Sequence, residues 1–268
     1  MASGEGALAI VTACYLLYLG VPIILLLIGS VGATWYNTLL PQGFTGDWYL
    51  QVIADGSFRR AFWTSLQVCS LTCALAALVG VPLAYVLNSA ADRRLRAATR
   101  VAYLLPVAVP PLVLGFGFVL VFSSDALPFL GSTWVLVGGH LALTLPYLIS
   151  ALVGDMRHLA LAELEQAAAS LGANFAQRFL HIVLPSLRHS LLSGLIIVAA
   201  LSIGEFQLSN LVAGFLSRPY PVVLLQAFYG ATGFACAATV ILLALALIAA
   251  AAGALIAGSA PAARGISG

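Results

Sequence analysis

The chain has 268 residues, of which 62% are hydrophobic and 7% charged, and its mean hydropathy is +1.07. A soluble globular domain carries about 25% charged residues, so this composition excludes one and marks an integral membrane protein. All 11 basic residues are Arg, against 9 acids, for a formal charge of +2; without Lys there is no Walker-type phosphate loop, and any ATP hydrolysis falls to another chain.

A helix needs about 20 apolar residues to cross the bilayer, and in lipid the backbone must satisfy its own hydrogen bonds. Six segments qualify: residues 7–34, 61–90, 99–123, 133–154, 189–212 and 233–258. The expected fold is all-α, a single membrane domain over residues 1–268. The N-terminus lacks a charged n-region and a cleavage site, so residues 7–34 read as a retained span. Cys14, Cys69, Cys73 and Cys236 lie in apolar runs as small hydrophobes, with no zinc spacing and no disulfide framework.

Between the first two spans, LPQGFTGDWYLQVIADGS combines turn residues with aromatics and predicts a packed loop over 35–58. Asp47, Asp55 and Asp125 fall on the same side, either to meet a partner or to solubilise loops. Trp35, Tyr36, Trp63, Tyr103 and Trp134 lie near predicted span ends, as interface anchors would. Arg93, Arg94, Arg96, Arg100, Arg157, Arg178, Arg188 and Arg264 oppose Arg59, Arg60 and Arg218, which places both termini and the 155–188 loop in the cytoplasm.

The third span, LLPVAVPPLVLGFGFVLVF, contains Pro106, Pro110, Pro111, Gly115 and Gly117. Each proline removes a backbone donor and crowds the preceding turn, so the helix is expected to be kinked or partly unwound. Such backbone is tolerated in a membrane where it is buried in protein or lines a cavity. Pro110 and Pro111 are therefore candidate path residues, with a purely structural kink as the alternative.

Residues 155–188 form a polar interruption with two amphipathic patterns. Leu164, Ala168 and Leu171 share a face; Gly172 follows at a helix-ending position; Asn174 can cap a second helix running to about Val183, before Pro185. The product is a helical ledge with an Ala167-Ala168-Ala169 surface and an apolar edge. It suits a groove on a partner. The alternative is a helix pair lying on lipid, which Glu163 and Glu165 disfavour.

The fifth span reads LSIGEFQLSNLVAG. A charge inside a bilayer is costly and faces protein or water, so Glu205, with Gln207, is a candidate for a translocation path; the alternative puts Glu205 at the outer interface. His140, His158, His181 and His189 show no metal spacing and read as solvated or helix-end residues. Stretches such as 244–254 are Ala-rich and suit close helix packing. One carboxylate cannot form an aspartyl dyad, which disfavours an intramembrane protease. A self-contained ion-coupled transporter would carry paired charges and breaks in both halves.

Gln166-Ala167-Ala168, Gly172 and Ile182-Val183-Leu184-Pro185 resemble the loop of permease subunits of binding-protein-dependent ABC importers: E-A-A, three residues, G, nine residues, I-x-L-P. Gln166 replaces the family's Glu, and Glu165 is the adjacent acid. The resemblance extends to the six-span layout and the Pro-rich third span. It implies that Glu165, Gln166, Ala167, Ala168, Gly172, Ile182, Leu184 and Pro185 couple to a cytoplasmic ABC ATPase dimer, which binds ATP and Mg, while this chain binds no cofactor or metal. It further implies a second permease (the same or a related chain), an extracytoplasmic solute-binding protein, the bacterial inner membrane as location, and no nucleic acid. Among substrates, it looks most like permeases for polyamines and for phosphonates such as 2-aminoethylphosphonate.

Overall fold

The computed structural model describes residues 2–35, 40–89 and 92–258. Tyr36 and Arg264, expected as an interface anchor and a cytoplasmic charge, lie outside them. The chain divides into two compact units, Met1–Arg60 with Val223–Ala249, and Ala61–Val222 with Ala250–Gly268.

The first unit opens with α1 (Ala2–Val31), apolar over most of its length and continuous across Pro22. It ends earlier than expected, because Gly32 starts a two-stranded ribbon. In it, β1 (Gly32–Thr34) pairs antiparallel with β2 (Gln42–Phe44), in register Gly32 with Phe44 and Thr34 with Gln42. The sequence offered no strand signal here: the pairing is fixed by Gly43, at φ +74°, and by the close seating of Gly32 on Pro41. Then α2 (Asp47–Ala54) returns over the ribbon. Trp48 Nε1 donates to the Gly32 carbonyl at 2.8 Å, and the Tyr49 and Ser30 hydroxyls meet at 2.6 Å. The 40–58 part of the loop is thus packed by its aromatics. The Asp55 carboxylate accepts the Ser57 and Phe58 amides at 2.7 and 3.0 Å, capping α3 (Gly56–Ser89); the sequence reading gave it only an outward role. The ring of Phe58 meets Phe234, on α13 (Thr232–Gly258), edge to face at 5.2 Å. Close packing along α13 falls at Ala235, Ala237 and Ala238, which are fully buried. Residues 244–248 of the expected Ala-rich stretch are exposed, and the side chains of 249–254 lie outside the described ones.

The second unit is built on α6 (Thr133–His158), which carries a dozen buried residues and whose Ser132 cap accepts the Val135 amide. Residues 68–87 of α3 pack against it, as do α10 (Arg188–Ile203) and α4 (Arg93–Ala108). Small residues allow the approach: a Cβ on Gly194 of α10 would lie 2.5 Å from Leu148 Cδ1, and one on Gly80 of α3 would lie 3.0 Å from Leu148 Cδ2. Leu148, Ile149, Leu152, Met156 and Val198 fill this core.

The third expected span is two helices. Chain direction changes by 101° between α4 and α5 (Pro111–Phe122), beyond the kink that the prolines predicted. Val109 is extended at φ −90°, ψ 127°, as a residue before proline must be, and neither Pro110 nor Pro111 can donate to the α4 ladder. Pro22, Pro82, Pro106 and Pro146, standing singly, leave their helices unbroken. The fifth expected span is also interrupted. After α10 come Gly204, Glu205 and Phe206, then α11 (Gln207–Val212). Within this unit the Tyr220 amide, at the start of α12 (Tyr220–Phe228), is bonded to Ser65 at 2.8 Å.

Among the described residues, three helices are long and apolar enough to cross a membrane: Leu8–Val31, Gly56–Ser89 and Thr133–His158. There are five if each bent pair, α4 with α5 and Phe175–Ser186 with α10, is one span. The sixth expected span falls on α13, which runs 27 residues.

Candidate functional site

Both helix breaks face one hollow. A cavity of about 580 Å³ is lined by Pro106, Pro111, His140, Tyr147, Glu205 and Gln207 among others. Three of the four candidate path residues therefore share one cavity. The fourth, Pro110, caps α5 and is exposed without lining it.

The second break is built by Glu205. Its carboxylate accepts the Leu208 and Ser209 amides, each at 2.8 Å, and the Ser209 hydroxyl. Those amides are orphan donors of the first turn of α11, so the side chain closes the ladder of one helix and opens the next. A carboxylate there is also favoured by the positive end of the helix. Its side chain is only 10% exposed.

His140 is 1% exposed in the middle of α6, not solvated or at a helix end as expected. Its Nδ1 lies 2.8 Å from Ser202 Oγ, and its Nε2 lies 2.9 Å from Ser209 Oγ and 3.7 Å from Glu205 Oε2. The directions of these bonds follow from Glu205, which accepts the Ser209 hydroxyl. Ser209 gives its proton to Glu205 and must accept from His140 Nε2–H. Nδ1 is then free to accept from Ser202. A neutral imidazole satisfies every member of the chain. The signal that the sequence reading passed over was a lone His in an apolar span, where an unpaired imidazole is costly.

Two glycines wedge α11 in place. A Cβ on Gly139 of α6 would lie 2.6 Å from Leu208 Cδ2, and one on Gly115 of α5 would lie 2.9 Å from Leu211 Cδ1. Beyond α11, the Gly131 amide donates to the Val212 carbonyl at 3.1 Å, and the Gly131 carbonyl accepts the Ser217 hydroxyl at 2.7 Å. The short helix is thereby tied to the start of α6.

The ledge follows α6. Ala160, at φ +48°, turns the chain into α7 (Leu161–Ser170). Gly172, at φ +88°, ends that helix as its residue type predicts. Asn174 and Gln177 form a reciprocal cap on α8 (Phe175–Arg178), each bond 2.9 Å. A wide π-helical turn, Phe179–Val183, then leads into α9 (Leu184–Ser186). Leu161, Val183 and Leu187 anchor the segment in the α6 core.

Within the ledge the two acidic-face residues part company. Glu165 is buried and accepts the Tyr85 hydroxyl at 2.9 Å, so it points at α3 and not outward beside Gln166. Gln166, Ala167 and Ala169 are exposed, Ala168 half-buried. Leu164, Leu171, Phe175 and Leu180 leave an apolar edge open, with Leu171 at 89% exposure. Ile182 and Leu184 are half-buried and Pro185 is exposed.

Residues 76–259, which include both breaks and the whole ledge, match the family described as the inner membrane component of binding-protein-dependent transport systems. The chain belongs to this family. As a permease it is similar to the putative 2-aminoethylphosphonate transport system permease protein PhnV of Salmonella typhimurium, 28% identical over 203 residues and covering 75% of each chain. It is 31% identical over 182 residues to the molybdenum transport system permease protein ModB of Mycobacterium tuberculosis, covering 63% of this chain and 67% of that one. It is 28% identical over 216 residues to the sulfate transport system permease protein CysW of Escherichia coli, covering 73% and 72%. Its fold is that of a bacterial ABC transporter involved in the import of the acidic polysaccharide alginate, with a TM-score of 0.80 at 15% identity and 96% of both chains covered. The permease is thus a multi-pass membrane protein of the ABC importer type.

Proposed function

We propose that this permease forms, over six spans with both termini in the cytoplasm, the path for a small solute in an ATP-driven importer. In this reading the third and fifth spans are the broken ones, and their shared cavity is part of that path, with Glu205, Gln207 and Pro111 at its wall and Pro110 beside it at the break. Backbone that leaves the helix at membrane depth is stable only where protein or a water-filled cavity meets it, and here two such breaks meet at one cavity.

The ledge couples to an ABC ATPase dimer, which supplies the site for ATP and Mg. The observation that carries this is the exposed apolar edge of Leu164, Leu171, Phe175 and Leu180 beside Gln166 and Ala167, on a segment pinned to the α6 core. A second permease and a solute-binding protein complete the system. Closure of the ATPases would draw two ledges together, shifting the permease between inward- and outward-open states in proportion to the difference in nucleotide affinity.

For the solute, an aminophosphonate is favoured over a polyamine. The likeness to a putative 2-aminoethylphosphonate permease supports it. A polyamine calls for free acidic groups along its path, and the Glu205 carboxylate is engaged by the α11 amides.

Purification of the tagged chain from native membranes tests the assembly. A stoichiometric ATPase with a phosphate loop and a binding protein are expected, and the latter then gives a direct assay with 2-aminoethylphosphonate and with polyamines. Uptake that follows an ion gradient and ignores ATP would overturn the importer in favour of a self-contained transporter.

A further inference from the structure

Three arginines that the transport reading leaves unused line a second hollow. Arg96 and Arg100 on the first two turns of α4 and Arg157 on the last turn of α6 stand around a concavity of about 350 Å³, floored by Leu87 and Val153, with Tyr103 at its wall. None of its lining residues is an acid. Among the described residues no carboxylate pairs with Arg96, Arg100 or Arg157. The Asp92 side chain, close by in sequence, is engaged by the Arg94 amide at 2.8 Å.

Three like charges around one hollow repel, and an anion among them offsets that repulsion. Arginine is suited to phosphate because its planar fork gives paired, charge-assisted hydrogen bonds. Position narrows the anion further. The hollow is walled by the end of α3, the start of α4 and the end of α6, where two of the long apolar spans give out. On α4, alongside the arginines, Leu95, Val101 and Leu105 are exposed. Cations at the end of apolar helices, an apolar floor and exposed aliphatic neighbours match an amphiphile with an anionic head. An acidic protein surface would explain the arginines but not the apolar side chains beside them.

We propose that Arg96, Arg100 and Arg157 form a phosphate site that holds the headgroup of an anionic phospholipid, with its acyl chains along α4. The site shares no lining residue with the transport cavity and does not depend on the solute carried.

The test uses the purified full-length permease in phosphatidylcholine nanodiscs, with and without phosphatidylglycerol. Retained lipid is counted by native mass spectrometry, and thermal protection is read in parallel. Phosphatidylglycerol should be retained and should raise the apparent Tm. Retention should fall about fivefold for each arginine changed to Gln and about a hundredfold for R96Q/R100Q/R157Q together. The pair R59Q/R60Q should leave it unchanged. Equal retention by wild type and the triple variant overturns the site. Excess inorganic phosphate that protects equally and displaces the lipid overturns the lipid as source. A triple variant that keeps phosphatidylglycerol but loses its co-purifying ATPase overturns the proposal in favour of a protein contact. If the triple variant does not fold, R100Q and R157Q singly, both at exposed positions, are read by the same criteria.

Discussion

Removing the Glu205 side chain should cost the permease stability before it costs selectivity. In Glu205→Ala the Leu208 and Ser209 amides lose their acceptor, and both residues are fully buried. A buried donor left unpaired costs about 1–3 kcal/mol. Water in the adjoining cavity recovers part of this, so the expected loss is about 2–4 kcal/mol. At about 2–4 °C per kcal/mol for a chain of this size, the apparent Tm should fall by about 4–16 °C. Glu205→Gln keeps one carbonyl acceptor and turns an amide donor toward the other, so it should lose about half as much. The assay is thermal unfolding of the purified chain at one fixed scan rate, beside uptake normalised to the amount in the membrane. If both variants abolish uptake while the apparent Tm stays within about 1 °C of wild type, the carboxylate serves the solute and not the backbone, and the reasoning fails.

Other residues give separate checks. Gly172 sits at φ +88° with open space around a would-be Cβ, so Gly172→Asp adds about 1–2 kcal/mol of local backbone strain and no clash. Uptake and ATPase co-purification should be lost with the helical circular dichroism unchanged; normal uptake at normal expression would contradict a coupling role. Gly139→Val drives a branched side chain into Leu208, whose Cδ2 lies 2.6 Å from the Cβ position, and should destabilise by about 1–3 kcal/mol. A variant as stable as wild type would show that α11 is not wedged there. Tyr85→Phe strips the buried Glu165 carboxylate of a charged hydrogen bond worth about 1.5–3 kcal/mol. Faster hydrogen exchange over residues 161–170 should follow, with the α6 core unaffected. His140→Leu leaves the Ser202 and Ser209 hydroxyls without the imidazole and should lower the apparent Tm, whereas Glu205→Gln combined with it should cost less than the sum, because the two share one chain of hydrogen bonds.

The ledge was legible in the sequence because its determinants are local. A helix-ending glycine and an Asn cap act through neighbours a few residues away and fold as read, whereas the chain stays helical over Leu184–Ser186, past the stop expected before Pro185. The third span was legible in kind but not in degree: paired prolines announce a fault, but a 101° turn depends on what α4 and α5 pack against. The ribbon of 32–34 with 42–44 escaped notice because three-residue strands carry too little alternation to register.

Composition and pattern by themselves determined a helical membrane protein with a helix-glycine-helix ledge, since burial in lipid and turn chemistry depend only on residue type and spacing. Tertiary structure alone decided where polar groups meet. Glu205 and Gln166 are both polar interruptions in a sequence, yet one carboxylate closes on the amides three and four residues ahead and the other side chain faces out. His140 and Ser209 are 69 residues apart, and Tyr85 and Glu165 are 80 apart. No periodicity encodes such distances. They are set by how helices pack, as where Gly139 lets α11 approach α6 closely enough for His140 and Ser209 to meet.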